Sequence, residues 1–397
     1  MGNDAGSRDW LSTFDHADPE LAPVFYEVCR QLRTAGPVQS DRHGGFWVLS
    51  NYDDVVTAER DHVSLSSAQG VTLPFFGHKV PSIPLEKDPP EQAAYRRFLM
   101  PWFNPRAIAG LEHDVRNIVV SVIDQFIDES HADLVRDLAS PIPPAVIAML
   151  LGLPETDSRR FQDASNRMVR SSTSGDREGL ARAVADLFGY LHEQVAVRRG
   201  VEPCDLLGRI VSGSIEGQPL TDDEVIGMVH LIVIAGHETT VNGIGHMLAR
   251  LVAEPELQEL LLADKSLVPL VVDEALRFEA PVTAMARTVT QPLTLSGACL
   301  APGDKVLLLY SAANHDESHF TDADRFVASR KPNPHLAFGI GVHRCLGEHL
   351  ARMEMSIVLQ EVVSRLAQLR LVKGAQLEYT TGQSRGLKSL PVTFERT

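Results

Sequence analysis

Thr221-Asp-Asp-Glu224 has the form of a helix capping box, and the stretch that follows, Val225 to Ala235, is apolar nearly all round. A surface helix keeps one polar face; a helix without one must be wrapped on every side. Continued to Ala253, this helix would be about 50 Å long, enough to cross a large protein. The chain is therefore predicted to build its core around it, and 397 residues with 44% hydrophobic side chains can supply that core. In the middle of the helix stands Ala235-Gly236-His237-Glu238-Thr239-Thr240. An acid and two hydroxyls in an apolar helix cost free energy unless they are partnered, which points to a role. A Thr hydroxyl can bond back to a carbonyl one turn earlier and, beside Gly236, open the helix locally. His237-Glu238 lacks a second His four residues after the first, so it is no zinc-protease helix.

A second stretch carries one cysteine at a glycine-punctuated turn: His335-Leu-Ala-Phe338-Gly-Ile-Gly341-Val-His343-Arg-Cys345-Leu-Gly347. Leu346, Leu350, Met353 and Ile357 then fall on one face of a following helix. Cys345 thus precedes a helix N-terminus, where orphan N–H groups and the dipole favour a thiolate. Such a thiolate is a metal ligand or a nucleophile, and a buried structural Cys is the plain alternative. No second His with an Asn/Asp pattern accompanies it, against a cysteine hydrolase. Gly339-Ile-Gly341 lacks the third glycine and the strand–helix setting of a dinucleotide site.

The spacing Phe-x-x-Gly-x-His-x-Cys-x-Gly, met by Phe338, Gly341, His343, Cys345 and Gly347, resembles the haem-binding signature of the cytochrome P-450 family. By that resemblance Cys345 is the axial ligand of haem b, Phe338 packs near the sulfur and His343 reaches a propionate. The Ala235-Gly-His-Glu238-Thr239-Thr string resembles the family's oxygen-activation site, which makes Glu238 and Thr239 the catalytic pair beside Ala235. Asp88-Pro-Pro-Glu-Gln92-Ala-Ala-Tyr-Arg96 reads as a helix start with prolines in its first turn. It resembles the segment whose Gln92 and Arg96 positions meet propionates; many members carry His at Gln92, and the substitution also occurs in the camphor-hydroxylase-like branch. Glu274-Ala-Leu-Arg277 resembles the family's Glu-x-x-Arg. Arg325 of Asp324-Arg325-Phe326 fits its third partner, with Ala323 where the family usually has Pro. Arg287 matches a second propionate arginine. These segments span roughly residues 88–347 and occur in the family's order.

The resemblance implies a mainly α fold with a smaller β-rich side (α+β). The expected body is a single triangular-prism domain over residues 1–397, flexible over about 1–15, with haem between the central helix and the cysteine helix. The local patterns agree. Helices are expected at 19–35, from Asn51, at 111–126, 144–151, 159–170, 177–198 and 266–277; strands at 38–39, 46–49, 290–295, 305–309, 376–379 and 390–394. From Ser64 to Pro84 runs a long loop whose Val71, Leu73, Phe75 and Phe76 suit a binding lid.

Net charge of −15 argues against nucleic acid or an anionic membrane as partner. Cys29, Cys204, Cys299 and Cys345 show no disulfide or zinc spacing, and the first residues carry no apolar signal region. The expected location is cytoplasmic. The resemblance implies a monooxygenase that inserts one atom of O2 into a small or mid-sized apolar substrate, with electrons from a separate ferredoxin and reductase. A haem-binding sensor or carrier without turnover is the alternative. Leu231, Ile234, Val282, Ala284, Phe75, Phe76 and Gln383 are expected to line the substrate pocket, and Arg96, Arg97, Arg344 and Arg352 to receive the electron donor.

Overall fold

The computed structural model describes residues 8–74, 81–154, 160, 161, 163, 164, 167 and 177–397. Phe75 and Phe76, and most of the expected helix at 159–170, lie outside the described residues.

The central helix runs from Asp222 to Ala253 with the capping box formed in both directions: Thr221 Oγ1 accepts from the Glu224 amide, and the Glu224 carboxylate accepts from the Thr221 amide. Three acids in its first turn and Arg250 in its last suit the helix dipole. It is wrapped as its apolar surface demands, by Ile142–Leu151, Val268–Phe278 and the cysteine helix Glu348–Arg365. Leu134–Leu151 and Asp222–Ala253 are each long and apolar enough to span a membrane, yet much of their surface is buried within the protein. The largest core cluster forms here, running from Tyr95 and Leu99 through Val233 and Met247 to Val358 and Phe394.

A five-stranded sheet makes the smaller side, in the order Val38–Ser40, Phe46–Leu49, Lys305–Leu308, Met285–Val289, Leu65–Ser66. The second and third strands pair in parallel and the other neighbours antiparallel. Two smaller clusters, one around Phe14, Phe25 and Ala284, the other around Leu49, Val306 and Tyr310, pack on its faces.

The differences from the expected elements have local causes. The helix expected at 19–35 is a tight turn over Pro19–Val24 followed by Phe25–Ala35, because Pro23 cannot continue an α-helical ladder. Pro89 and Pro90 sit before the helix Glu91–Phe103 rather than in its first turn. Of the strand expected at 290–295 only Leu293–Leu295 forms, and the preceding Met285–Val289 is a strand that was not expected. Residues 376–379 form no strand, only a Tyr379–Leu387 bridge. The central helix passes through Gly236 without interruption, so the local opening expected there is absent.

Candidate functional site

The cysteine loop is held from beneath by a buried carboxylate. Glu274 and Arg277 are both 0% exposed and make a two-bond ion pair, Nε to Oε2 and Nη2 to Oε1, each 2.9 Å. Arg277 spends its remaining donors on Asn314, Ala323 and Arg325 carbonyls. The third side chain on Glu274 is Arg330, whose Nε lies 2.9 Å from Oε2, and not Arg325. Arg325 contributes only its backbone carbonyl, and its side chain is exposed. Val327 N–H and Asn333 Nδ2 also donate to Glu274, so one carboxylate gathers the loop that leads to Phe338. Buried charge is tolerated because every lone pair has a donor.

The loop closes when Cys345 N–H donates to Phe338 O at 2.8 Å. Gly341, at φ +68°, lies so near the helix Tyr52–Arg60 that a Cβ would be 2.7 Å from Glu59 O; only glycine permits that approach. Gln92, 2% exposed, donates from Nε2 to Val342 O at 2.6 Å. It thus ties the helix Glu91–Phe103 to the loop with one of its two N–H donors. Phe338 packs against the Arg352 guanidinium at 4.5 Å.

Burial pushes the Cys345 thiol above its ordinary pKa of 9.0, against the pull of the Gly347 amide, Arg96 and Arg352. The helix start alone therefore does not hold a thiolate here, contrary to the expectation from sequence; a bound cation at the sulfur would. Burial likewise lowers the His343 pKa to about 4, aided by the charges of Arg287 and Arg96, so the ring is neutral. Its Nε2 is buried and has no hydrogen-bond partner among the described residues. Arg96 is half-buried and meets no carboxylate among the described residues at ion-pair distance. Arg287, in contrast, has an ion pair: Nη2 contacts Glu59 Oε1 at 2.8 Å and Nη1 the Ala286 carbonyl, and Tyr310 donates to the same Glu59 carboxylate. Its charge is already compensated by the protein, so Arg96 and His343 are the better-placed donors for an added anion.

Across the loop, Ile234 is 38% exposed and Ala235 is exposed, although Ile232, Val233 and His237 beside them are buried. This part of the central helix faces open space rather than another element. Thr239 Oγ1 donates to Ala235 O at 2.7 Å, which leaves its lone pairs as acceptors. Burial alone raises the Glu238 pKa above 4.5. Leu231, Val282 and Gln383 are half-buried, but Ala284 is 0% exposed in the cluster with Phe14 and Leu73. Ala284 therefore does not line a pocket; Met285, beside Gln383 Nε2 at 2.9 Å, is the half-exposed residue of that strand start.

These residues fit a haem. A half-buried sulfur has the Gly347 amide aimed at it, an arginine without an ion pair and an imidazole nitrogen without a hydrogen bond among the described residues stand near it, and an apolar face of the central helix is open. Arg330 and Glu59 carry none of the family-like spacings, and only the folded path of the loops shows them.

Comparison with known proteins agrees. A family profile described as cytochrome P-450 matches residues 192–374. The chain is 33% identical over 373 residues to a steroid C26-monooxygenase of Mycobacterium tuberculosis, covering 92% of each chain. It is 33% identical over 386 residues to the cytochrome P-450 monooxygenase PikC of Streptomyces venezuelae, covering 94% of this chain and 91% of that one. Among solved structures, a cytochrome P-450 from Chondromyces apiculatus superposes with a TM-score of 0.87 at 29% identity, covering 98% and 99% of the two chains. Another, from Bacillus megaterium in complex with testosterone, has a TM-score of 0.82 at 30% identity, covering 93% and 97%.

Proposed function

The chain belongs to the cytochrome P-450 family and is a monooxygenase of bacterial type, and from that premise we propose that Cys345 is its haem ligand and that Glu238 and Thr239 are its proton-handling pair. The observation that carries this is Thr239 Oγ1 bonded back to Ala235 O at 2.7 Å beside an acid with no hydrogen-bond partner among the described residues. Bound at Cys345, haem supplies the centre at which dioxygen is activated, one oxygen atom going to the substrate and the other leaving as water. Everything else falls to the chain. With its own proton committed to Ala235, Thr239 accepts hydrogen bonds on the open side and so holds a donor in place. Glu238, with its proton affinity raised by burial, is suited to hold a proton and pass it through water. Arg96 and the neutral His343 would meet the propionates, with Gln92 and Arg287 acting one step removed.

The substrate is an apolar small or mid-sized molecule held between Leu231, Ile234 and Ala235 below and Val282, Met285 and Gln383 beside. The apolar open face of the central helix supports this, as do relatives named for steroid oxidation. Electrons arrive from a separate ferredoxin-type donor in the cytoplasm. The docking patch is narrower than four arginines: Arg344 is paired to Glu348 at 2.7 Å, and Arg352 to Glu348 and Asp273 at 2.8 Å each. Arg97 is exposed and makes no ion pair among the described residues.

The test is Thr239→Ala, assayed with any compound that shifts the haem spectrum toward high spin. Product formed per dioxygen consumed should fall roughly tenfold or more, with peroxide taking up the difference. Unchanged coupling would remove Thr239 from the reaction.

A further inference from the structure

A buried ion pair remote from the cysteine fixes the turn that overhangs the central helix. From Thr380 to Gly386 the chain closes on itself, Thr380 N–H donating to Gly386 O at 2.8 Å and Gly386 N–H to Thr380 Oγ1 at 3.0 Å. Its tip is laced to the segment before Met285. Thr283 N–H donates to Gln383 O and Thr283 Oγ1 to Gly382 O, both at 2.8 Å, and Val282 bridges Ser384. Gln383 Nε2 adds a bond to Val71 O at 3.2 Å. Gly386 rests on the central helix itself: a Cβ there would lie 2.0 Å from Oδ1 of Asn242, which follows Thr239 by one turn.

One side chain leaves this turn for the core. Arg385, 5% exposed, donates from Nη1 to Glu279 Oε2 at 2.6 Å, and its guanidinium lies 3.9 Å from the Tyr379 ring centroid, with Phe25 and Tyr26 at 5.1 and 5.5 Å. Tyr26 OH donates to the same Glu279 oxygen at 2.8 Å. The Glu279 carbonyl receives His246 Nδ1 at 3.0 Å, and His246 stands on the central helix two turns beyond Thr239. One residue therefore joins the helix Phe25–Ala35, the central helix and the turn. Gly382, at φ +124°, and Gly386 give the turn's backbone more freedom than other residues would, so its position needs an outside anchor. A buried pair inside a ring of aromatics has one good geometry, and losing either partner strands the other charge.

We propose that Arg385 and Glu279 are positioning residues for the substrate: their ion pair sets the height of Gln383 and Ser384 above the central helix, and thereby the pose of a molecule held between them. The inference rests on the reading that Gln383 borders the substrate pocket. It is tested on the haem-loaded protein and on Arg385→Met, Arg385→Lys and Glu279→Gln, each titrated with imidazole, 1-phenylimidazole and N-tritylimidazole while nitrogen ligation is followed spectroscopically. For Arg385→Met and Glu279→Gln, affinity for the bulkiest azole relative to imidazole should fall about tenfold, imidazole itself moving less than about twofold, with Arg385→Lys largely restoring the ratio. Amide exchange over 380–386 and 281–285 should quicken in the same two variants. Azole affinities that move in parallel for all sizes, or exchange in the turn that does not change, would overturn the proposal. If a variant loses haem, exchange in the turn relative to the rest of the protein decides. A wild-type protein that gives no nitrogen-ligand spectrum with imidazole would instead count against the haem site itself.

Discussion

The buttress beneath the cysteine loop and the middle of the central helix handle buried charge in opposite ways. Glu274 is surrounded by Arg277, Arg330, Asn333 and the Val327 amide, and both arginines spend their spare donors on loop carbonyls. On the central helix, Glu238 has no hydrogen bond among the described residues, and both ring nitrogens of the buried His237 lack a partner there. Burial holds His237 near a pKa of about 4 and so neutral, while it moves Glu238 toward its protonated form. A saturated network has a single geometry and suits the side that must hold one atom still. An unsaturated pair can bind and release protons and water, which suits the proton-handling role proposed for Glu238.

The largest break in that contrast is Arg277→Met, which strands the Glu274 carboxylate without its main partner. Stability should fall by about 3–5 kcal/mol, and with it the capacity to retain haem. Denaturant unfolding and haem content measure both; a loss under about 1 kcal/mol would mean that Arg330 alone carries the buttress.

Next is an exception on the saturated side. Glu354 of the cysteine helix is 2% exposed, its Oε2 has no partner among the described residues, and burial raises its pKa from 4.5 to about 8. Between those values the folded protein holds a proton that the unfolded chain has released. The contribution is thus fully present below about pH 4.5 and is lost as pH rises through 8. Glu354→Gln should abolish a fall of about 5 kcal/mol across that window. Parallel stability–pH curves for the two proteins would refute the assignment.

The smallest effect concerns the surface around the buttressed side. With Arg97 on the proposed docking face, Arg97→Glu should slow first-electron transfer about fivefold at low salt and by little at high salt. A salt-independent difference would place the donor elsewhere.

The two sides also differ in how much of them was legible in the sequence. The central helix announced itself through its capping box and its lack of a polar face, and the structure reproduces both. The cysteine loop was legible in its spacing, but its support was not. Arg325 and Arg330 stand in one short irregular segment, and which of them reaches Glu274 depends on the path of the loop, which has no period to read. Ala284 was not legible for a related reason: Val282 and Met285 are half-exposed while Thr283 and Ala284 between them are buried, so the chain entering the strand Met285–Val289 has no two-residue alternation to read. Cys345 shows the limit of local rules. A helix N-terminus favours a thiolate, and burial, larger in effect, opposes it.

The most direct measurement is the carbon monoxide difference spectrum of the reduced wild-type protein beside Cys345→Ser. Sulfur ligation by Cys345 predicts a red-displaced Soret band in the wild type that is absent from the variant, while the two proteins keep the same helical content. The same band surviving in Cys345→Ser, or a wild type showing only the unshifted band of nitrogen ligation in fresh material, would contradict the site described.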